Sequence, residues 1–253
     1  MSAFNSIQND FAPGVANPGG QSPVLLVCEH ASNAMPPSFG GLGLGAEALS
    51  SHIAWDPGAL DTATRMAGLL KSALIHSRVS RLIYDCNRPP GAPDAMPPKS
   101  EATVVPGNAD LSHAEQAART EACYRPFEAL LSDTLDQRGR TAVLVTIHSF
   151  TPVYHGVPRE VEIGILHDTD TRLADAMLDI ATGYRVERNA PYGPEHGVTH
   201  TLRRHALPRG LLNVMIEVRN DLLTSPQECA GMAETLAGWV TKGLDGLAGR
   251  EAT

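Results

Sequence analysis

Imidazole and carboxylate side chains stand at the ends of strand-like apolar segments of this chain. His30 closes the first of these segments, His148 closes a second, and Glu217 lies inside a third. A carboxylate in such a segment costs free energy to desolvate unless it is paired, bound to a metal ion or used in chemistry. Because open α/β sheets bind ligands at the carboxyl ends of their strands, the three residues predict one active site.

The residue types predict a metal centre. Two imidazoles and one carboxylate form the three-ligand set of a catalytic zinc ion, which keeps a fourth position open for water. Alternatively, His30 and His148 each bind only a loop carbonyl, the better interpretation for one isolated histidine. The combination of both histidines with Glu217 favours a zinc site, or a site for another divalent cation.

Three acids are candidates for the third ligand. Asp56 is preferred because it precedes a predicted helix and could reach the metal, although an Asp before a Pro is also a common helix N-cap. Glu29 is adjacent to His30, and neighbouring strand residues point to opposite faces. Asp61 lies about one helical turn beyond Asp56.

Glu217 is the candidate general base. A metal-activated water needs a nearby carboxylate to accept its proton and to deliver that proton to the leaving amine. The alternative is a buried salt bridge to Arg219, since residues two apart on a strand share a face. That pair could itself belong to the site.

Arginines indicate an anionic substrate. Asn87 and Arg88 follow a predicted strand end, and a guanidinium grips a carboxylate with two parallel hydrogen bonds. Arg203 and Arg204 form a second basic cluster in the irregular stretch 197–205, which could bind another carboxylate or stabilise an oxyanion. Exposed arginines are more often simply solvated.

Strand and helix patterns alternate along the chain, which predicts a single three-layer α/β domain over residues 1–253 with a mixed, mostly parallel sheet flanked by helices. Residues 1–20 are predicted to be flexible or loosely packed. The periodicity predicts strands at 24–28, 81–84, 143–147, 161–166 and 214–218, helices at 60–74, 112–137, 170–183 and 225–244, and long irregular segments at 89–110 and 189–210.

Composition excludes several classes of function. The net charge of −8 and the aromatic share of 5% argue against a nucleic-acid partner. No apolar stretch approaches the roughly 20 residues that span a bilayer, and no signal peptide is predicted. The four cysteines form no Cys-x-x-Cys pair, so reduced thiols in a cytoplasmic protein are expected.

Several short motifs follow one another along the chain: Glu29-His30-Ala31-Ser32, Trp55-Asp56, Asp85-Cys86-Asn87-Arg88-Pro89-Pro90, Ile147-His148-Ser149-Phe150, the stretch 197–205, and Ile216-Glu217-Val218-Arg219. In this order they resemble the N-formylglutamate amidohydrolase family, zinc-dependent enzymes whose fold is related to the zinc carboxypeptidases (phosphorylase/hydrolase-like). By that resemblance His148 is a metal ligand, Glu217 is the base, and Asn87 with Arg88 binds the substrate carboxylate.

Two departures mark a divergent branch of that family. The carboxypeptidase pattern His-x-x-Glu would place a Glu where Asn33 stands, and familiar family members carry Pro-His-Ser-Gly where this chain has Glu29-His30-Ala31-Ser32. The resemblance implies hydrolysis of N-formyl-L-glutamate to formate and L-glutamate, in histidine catabolism. The alternatives are a zinc carboxypeptidase or amidase acting on another acylated amino acid or a peptidoglycan fragment, and a non-catalytic binder of a small anionic metabolite.

Overall fold

A seven-stranded sheet forms the centre of the computed structural model, which describes residues 11–251. Its strand order is β1-β3-β2-β6-β11-β9-β10. The strands, with two small separate hairpins, are Gly14–Ala16 (β1), Val24–Cys28 (β2), Ala73–His76 (β3), Lys99–Ser100 (β4), Thr103–Val104 (β5), Val143–Phe150 (β6), Val153–Tyr154 (β7), Val157–Pro158 (β8), Ile163–Leu166 (β9), Val186–Arg188 (β10) and Leu212–Arg219 (β11).

The sheet is mixed and mostly parallel, which confirms the predicted fold class. Strand β2 runs parallel to β3 and β6, β6 parallel to β11, and β9 parallel to β10. The pairs β1–β3 and β11–β9 are antiparallel. Strands β2 and β6 are buried along their whole length, as expected for strands covered on both faces.

Helices cover both faces of the sheet and make the three layers. The helices are Ala46–Ser50 (α1), Ala59–Leu70 (α2), His113–Arg119 (α3), Arg125–Arg138 (α4), Arg172–Leu178 (α5) and Pro226–Glu251 (α6). Helices α2, α5 and α6 pack on one face, where they meet Leu26 and Ile147. Helix α4 packs on the other face against Leu25 and Leu144. Successive strand residues thus alternate between two separate cores.

The predicted helix at 112–137 forms with one irregularity. Ser112 and Glu115 make the expected capping box at its start. A wide π-type turn at Thr120–Tyr124 then separates α3 from α4. It ends two residues before Pro126, whose ring has no N–H to donate and would clash with a carbonyl one turn earlier in a regular helix.

Two predicted elements in the amino-terminal half of the chain need correction. The helix expected over 60–74 ends at Leu70, where Lys71 adopts a left-handed conformation with φ 52°, and β3 follows directly. The strand expected at 81–84 is a buried turn, closed by the Ile83 N–H donating to the Ser80 carbonyl at 3.0 Å. In both places the apolar side chains are buried, so burial alone did not distinguish helix, strand and turn.

Smaller corrections concern the ends of elements. The predicted loosely packed segment 1–20 needs correction in its second half, where β1 pairs with β3 and Phe11 is 5% exposed; residues 1–10 lie outside the described residues. The helix expected at 170–183 is only α5, and the closing helix α6 extends beyond residue 244. Within residues 11–251 no helix is long and apolar enough to span a bilayer.

Candidate active site

Three buried side chains converge at the carboxyl ends of the central strands. His30 follows β2, His148 lies near the end of β6, and Asp56 precedes α2, with its N–H donating to the His30 carbonyl at 2.9 Å. Asp56 Oδ2 lies 3.2 Å from His30 Nδ1 and 2.9 Å from His148 Nδ1. The two Nδ1 atoms are 3.1 Å apart. Each residue is at most 3% exposed.

The outward nitrogen of each imidazole contacts a carboxylate. His30 Nε2 lies 2.7 Å from Asp85 Oδ1. His148 Nε2 lies 3.1 Å from Glu29 Oε2, an ion-pair contact without the alignment of a hydrogen bond. A carboxylate behind a histidine fixes the ring orientation and the tautomer. Both rings therefore present Nδ1 toward Asp56.

This donor set fits a divalent cation. Zinc bonds to nitrogen and oxygen of about 2.0–2.2 Å in a tetrahedral site place ligand atoms about 3.3 Å apart. The three donor atoms, His30 Nδ1, His148 Nδ1 and Asp56 Oδ2, are separated by 2.9 to 3.2 Å. Two imidazoles and one carboxylate are also the ligands of a catalytic zinc that keeps a position open. His30, Asp56 and His148 are thus a candidate metal-binding cluster.

The other two candidates for the third ligand are placed elsewhere. Glu29 lies against the far side of the His148 ring, at Nε2. Asp61 is 44% exposed and pairs with Arg65 one turn along α2. Strand β2 ends at Cys28, before Glu29 and His30, so simple strand alternation does not decide where these two side chains point.

The charges around the cluster shift its pKa values. Burial alone would raise the pKa of Asp56, but His30 and His148 outweigh it and hold that pKa well below its ordinary value. Asp85 is affected in the same way, with His30 and Arg81 as its opposing charges. Burial alone would lower the pKa of His148, whereas Glu29 and Asp56 raise it well above its ordinary value. A metal ion binds the neutral form of an imidazole, so metal binding at this site would be coupled to release of any proton that His148 holds.

Glu217 faces this cluster from the next strand. It pairs in register with His148, so the two side chains leave the sheet on one face. Glu217 is 6% exposed, and its Oε2 has no hydrogen-bond partner among the described residues. Burial raises its pKa from the ordinary 4.5 to about 7, and the neighbouring histidines oppose that rise. A carboxylate with such a pKa can take up and release a proton near neutral pH.

The salt bridge from Glu217 to Arg219 does not form. Arg219 Nε lies 2.8 Å from Asp221, and its Nη2 lies 3.6 Å from Glu162. Arg219 also donates to the backbone carbonyl of Arg159. The carboxylate of Glu217 is thus left to face the cavity without this partner.

A cavity of about 280 Å³ opens over the cluster. Its wall includes Arg81, which the sequence does not single out because the pattern over 81–84 is typical of a strand. Arg81 contacts two buried carboxylates, Asp85 at 2.7 Å and Asp56 at 3.4 Å. The guanidinium thereby connects a candidate ligand with the carboxylate behind His30. The remaining wall is formed by His30, His52, Ile53, Asp56, Asp85, Asn87, Arg88, Asp94, Pro97, Lys99, Ser100, Glu101, His148, Ser149, Phe150, Thr151, Tyr154, Tyr192, Val198 and Glu217.

Asn87 and Arg88 both line the cavity, but they differ in their availability. The Asn87 amide donates to the Val198 carbonyl at 2.6 Å, and its oxygen accepts from the Thr201 N–H and hydroxyl. Asn87 therefore holds the segment around 198–201 in place. Arg88 is anchored through Nη1 to the carbonyls of Asn87 and Gly197, and its Nε donates to Asp94 on the cavity wall.

Arg203 and Arg204 lie outside the site, which corrects the prediction made for them. Arg203 is 64% exposed and lies 3.8 Å from Asp168. Arg204 is 56% exposed and bonds to Glu128 on α4. Both belong to a wide helical turn, Leu202–Ala206, whose buried side is formed by Leu202, His205 and Ala206. The two arginines project from the opposite, solvent side of that turn.

The cavity mouth contains polar side chains that no motif indicated. Glu101 Oε2 lies 3.0 Å from His52 Nε2, and its Oε1 accepts from the His155 N–H at 3.0 Å. This carboxylate therefore links the two hairpins, β4–β5 and β7–β8, to the loop before α2. Lys99 and Tyr154 stand beside it on the cavity wall. Such contacts join loops that are distant in the sequence, so no local sequence pattern predicts them.

The sequence and the fold of this chain are both similar to those of known proteins. Residues 22–224 match the N-formylglutamate amidohydrolase family. The crystal structure of a gene product from Agrobacterium tumefaciens is similar over 94% of this chain and 96% of that chain, with 55% sequence identity and a TM-score of 0.91. The crystal structure of N-formylglutamate amidohydrolase from Ralstonia eutropha JMP134 is similar in fold over 91% of this chain and 96% of that chain, with 19% identity and a TM-score of 0.62. No curated protein matches the chain.

Proposed function

Because the chain belongs to the N-formylglutamate amidohydrolase family, we propose that it hydrolyses N-formyl-L-glutamate to formate and L-glutamate. The observation that carries the proposal is the placement of Glu217 beside the His30–Asp56–His148 cluster, with one carboxylate oxygen unpartnered in a buried cavity. An amidase needs such a carboxylate next to a group that activates water and the carbonyl. A cavity of about 280 Å³ suits a small acyl amino acid.

The cofactor in this proposal is zinc, with another divalent cation as the alternative. His30, Asp56 and His148 would hold the ion through the three atoms that already face one another. Such an ion supplies Lewis acidity toward the formyl carbonyl and lowers the pKa of water. Asp85 and Glu29 keep the two imidazoles oriented with Nδ1 inward.

Glu217 moves the proton in this mechanism. Its carboxylate accepts a proton from the attacking water and then delivers it to the amine nitrogen as the carbon–nitrogen bond breaks. The burial that raises the pKa of Glu217 makes it a stronger base than an exposed glutamate. Its strand pairing with His148 fixes its position relative to the cluster.

Arg88 binds the α-carboxylate of the substrate in this proposal. Its guanidinium is 11% exposed as a side chain and is anchored at Nη1, so it is held in one orientation. Asn87 supports the same wall by fixing the 198–201 segment. Since Arg203 and Arg204 lie elsewhere, the side-chain carboxylate is assigned to the remaining cations of the wall, Arg81 and Lys99.

The test separates chemistry from metal binding. Glu217→Gln should reduce kcat on N-formyl-L-glutamate by about 10²–10⁴-fold, the usual contribution of a positioned proton-transfer group. Bound zinc, measured by atomic emission after dialysis, should stay at the wild-type level because Glu217 is not one of the three ligands. Glu234→Gln, on the exposed side of α6, is the matched control and should retain full activity. Wild-type activity in Glu217→Gln would remove the proposed base.

The family relationship leaves other acylated amino acids as the alternative substrates. A panel of N-formyl-L-glutamate, N-acetyl-L-aspartate, a carboxy-terminal peptide and a peptidoglycan fragment distinguishes them by kcat/KM. A chain that neither retains zinc nor gains activity when zinc is added would fit only a metabolite-binding protein. The cytoplasm is the proposed location, supported by four cysteines that are all buried free thiols.

A further inference from the structure

We propose that Asp94 is an internal carboxylate that occupies Arg88 until a substrate carboxylate displaces it, and that it thereby sets which anions the site accepts. The two residues are neighbours in the lining of the cavity, and Asp94 Oδ2 lies 2.5 Å from Arg88 Nε. The inference rests on the proposed function in one respect, because it takes Arg88 as the group that binds the α-carboxylate.

The hydrogen bonds of Arg88 leave one edge on which a carboxylate could bind. Nη1 donates to the Asn87 carbonyl at 2.9 Å and to the Gly197 carbonyl at 3.3 Å. A guanidinium grips a carboxylate through two neighbouring nitrogens. Since both Nη1 bonds hold backbone in place, the edge formed by Nε and Nη2 is the one that can receive a ligand. Asp94 already accepts from Nε on that edge.

Asp94 can leave this position without disturbing the loop that carries it. Its side chain is 51% exposed, whereas that of Arg88 is 11% exposed. The next residue, Ala95, is fully buried, and its carbonyl accepts from the Asp85 N–H at 2.8 Å. The backbone on that side is therefore anchored, and rotation of the Asp94 side chain into solvent is sufficient to free Nε.

This arrangement discriminates between ligands. A simple monocarboxylate bound at Arg88 alone replaces one carboxylate by another and gains little free energy. An acyl amino acid also contacts the His30–Asp56–His148 cluster through its acyl group, so it has a second attachment that Asp94 lacks. Asp94 should thus keep formate, the proposed product, and other small monoanions off Arg88, at the cost of a weaker apparent affinity for the substrate.

The experiment measures that cost. An exposed or half-exposed arginine–carboxylate pair reduces apparent ligand affinity by about two- to fivefold. Asp94→Ala and Asp94→Asn should lower KM for N-formyl-L-glutamate by about this factor with kcat unchanged, and Asp94→Ala should have the larger effect because Asn keeps a weak acceptor. The Kd of L-glutamate, measured by titration calorimetry, should fall in parallel, and inhibition by acetate should become stronger.

Two controls separate this contact from general charge effects. Glu101→Gln removes one negative charge from the same cavity wall without touching Arg88, so it should change KM less than Asp94→Asn. In an Arg88→Gln background, Asp94→Ala should no longer lower KM or the Kd of L-glutamate, because the group that Asp94 occupies is gone.

The outcomes distinguish this inference from the proposed function. A KM and a Kd for L-glutamate that are unchanged or raised in Asp94→Ala would overturn the inference while hydrolysis stands. An equal fall in Glu101→Gln would also overturn it. If the wild type hydrolyses no acyl amino acid, the proposed function fails, but titration calorimetry still tests the exchange of carboxylates at Arg88. Tighter binding of L-glutamate to Asp94→Ala than to the wild type supports the exchange. The absence of L-glutamate binding to that variant refutes it.

Discussion

The metal-free Glu217→Gln variant should be more stable than the wild type, and this difference in the free energy of unfolding should grow as the pH rises. Burial raises the pKa of Glu217 to about 7, so the folded protein holds this proton more tightly than the unfolded chain. A group of this kind contributes stability below its unfolded pKa of 4.5, and that contribution is lost as the pH rises through about 7. Gln at the same position does not titrate, and water in the cavity can bind its amide.

The magnitude follows from the two pKa values. A rise from 4.5 to about 7 corresponds to about 3.5 kcal/mol at about 1.4 kcal/mol per tenfold change in proton affinity. Most of this cost appears between pH 5 and pH 8. We therefore expect the free energy of unfolding of Glu217→Gln, relative to wild type, to increase by about 2–3 kcal/mol across that range. Titratable groups remote from Glu217 titrate alike in both proteins and cancel from the difference.

Urea denaturation in the presence of a chelator measures this difference. Unfolding at pH 5, 6, 7 and 8 can be followed by tryptophan fluorescence, to which both Trp55 and the buried Trp239 contribute; Trp239 is 6% exposed in the folded protein. Glu234→Gln serves as the control and should show a difference near zero at every pH, because Glu234 is exposed on α6. A difference for Glu217→Gln that is flat with pH, or that favours wild type at pH 8, would refute the reasoning about this buried carboxylate.

Two further predictions test the surroundings of the cluster. Asp85→Asn should weaken zinc binding by about 10–100-fold, because it removes the carboxylate that orients His30; competition with a chromophoric chelator measures the affinity, and an unchanged affinity would contradict the role of Asp85. Arg203→Ala and Arg204→Ala should each leave KM for N-formyl-L-glutamate within about twofold of wild type, because both side chains are solvent-exposed and pair outside the cavity. A tenfold rise in KM in either variant would return that arginine to the site.

The part of the site that lies at strand ends could be predicted from the sequence. Residues that close continuous apolar segments lie at the carboxyl edge of the sheet, and on this ground the sequence predicts that His30, His148 and Glu217 lie together. Asp56 followed only as one of three alternatives, because its approach depends on the loop before α2.

The rest depended on contacts that no local pattern encodes. Glu29 reaches His148 across 119 positions of the chain, and Arg81 contacts Asp56 from a turn that looked like a strand. The basic stretch predicts that Arg203 and Arg204 belong to the site. The orientation of that helical turn, however, is set by the packing of its buried side, which directs the two arginines to solvent. In the same way Leu74 continued a helical period but belongs to β3. Tertiary packing overrides periodicity at such positions.

The shared register of β6 and β11 constrains how this protein can be redesigned. Glu217 and His148 are partners on adjacent parallel strands, so the spacing between them is set by the backbone ladder and does not depend on any loop. The segments that shape the cavity, by contrast, are mostly loops and short hairpins. Insertions or replacements in those segments can therefore change ligand preference while the placement of Glu217 beside His148 stays unchanged. A designer who wants another substrate should alter the loops around the cavity and leave the pairing of β6 with β11 intact.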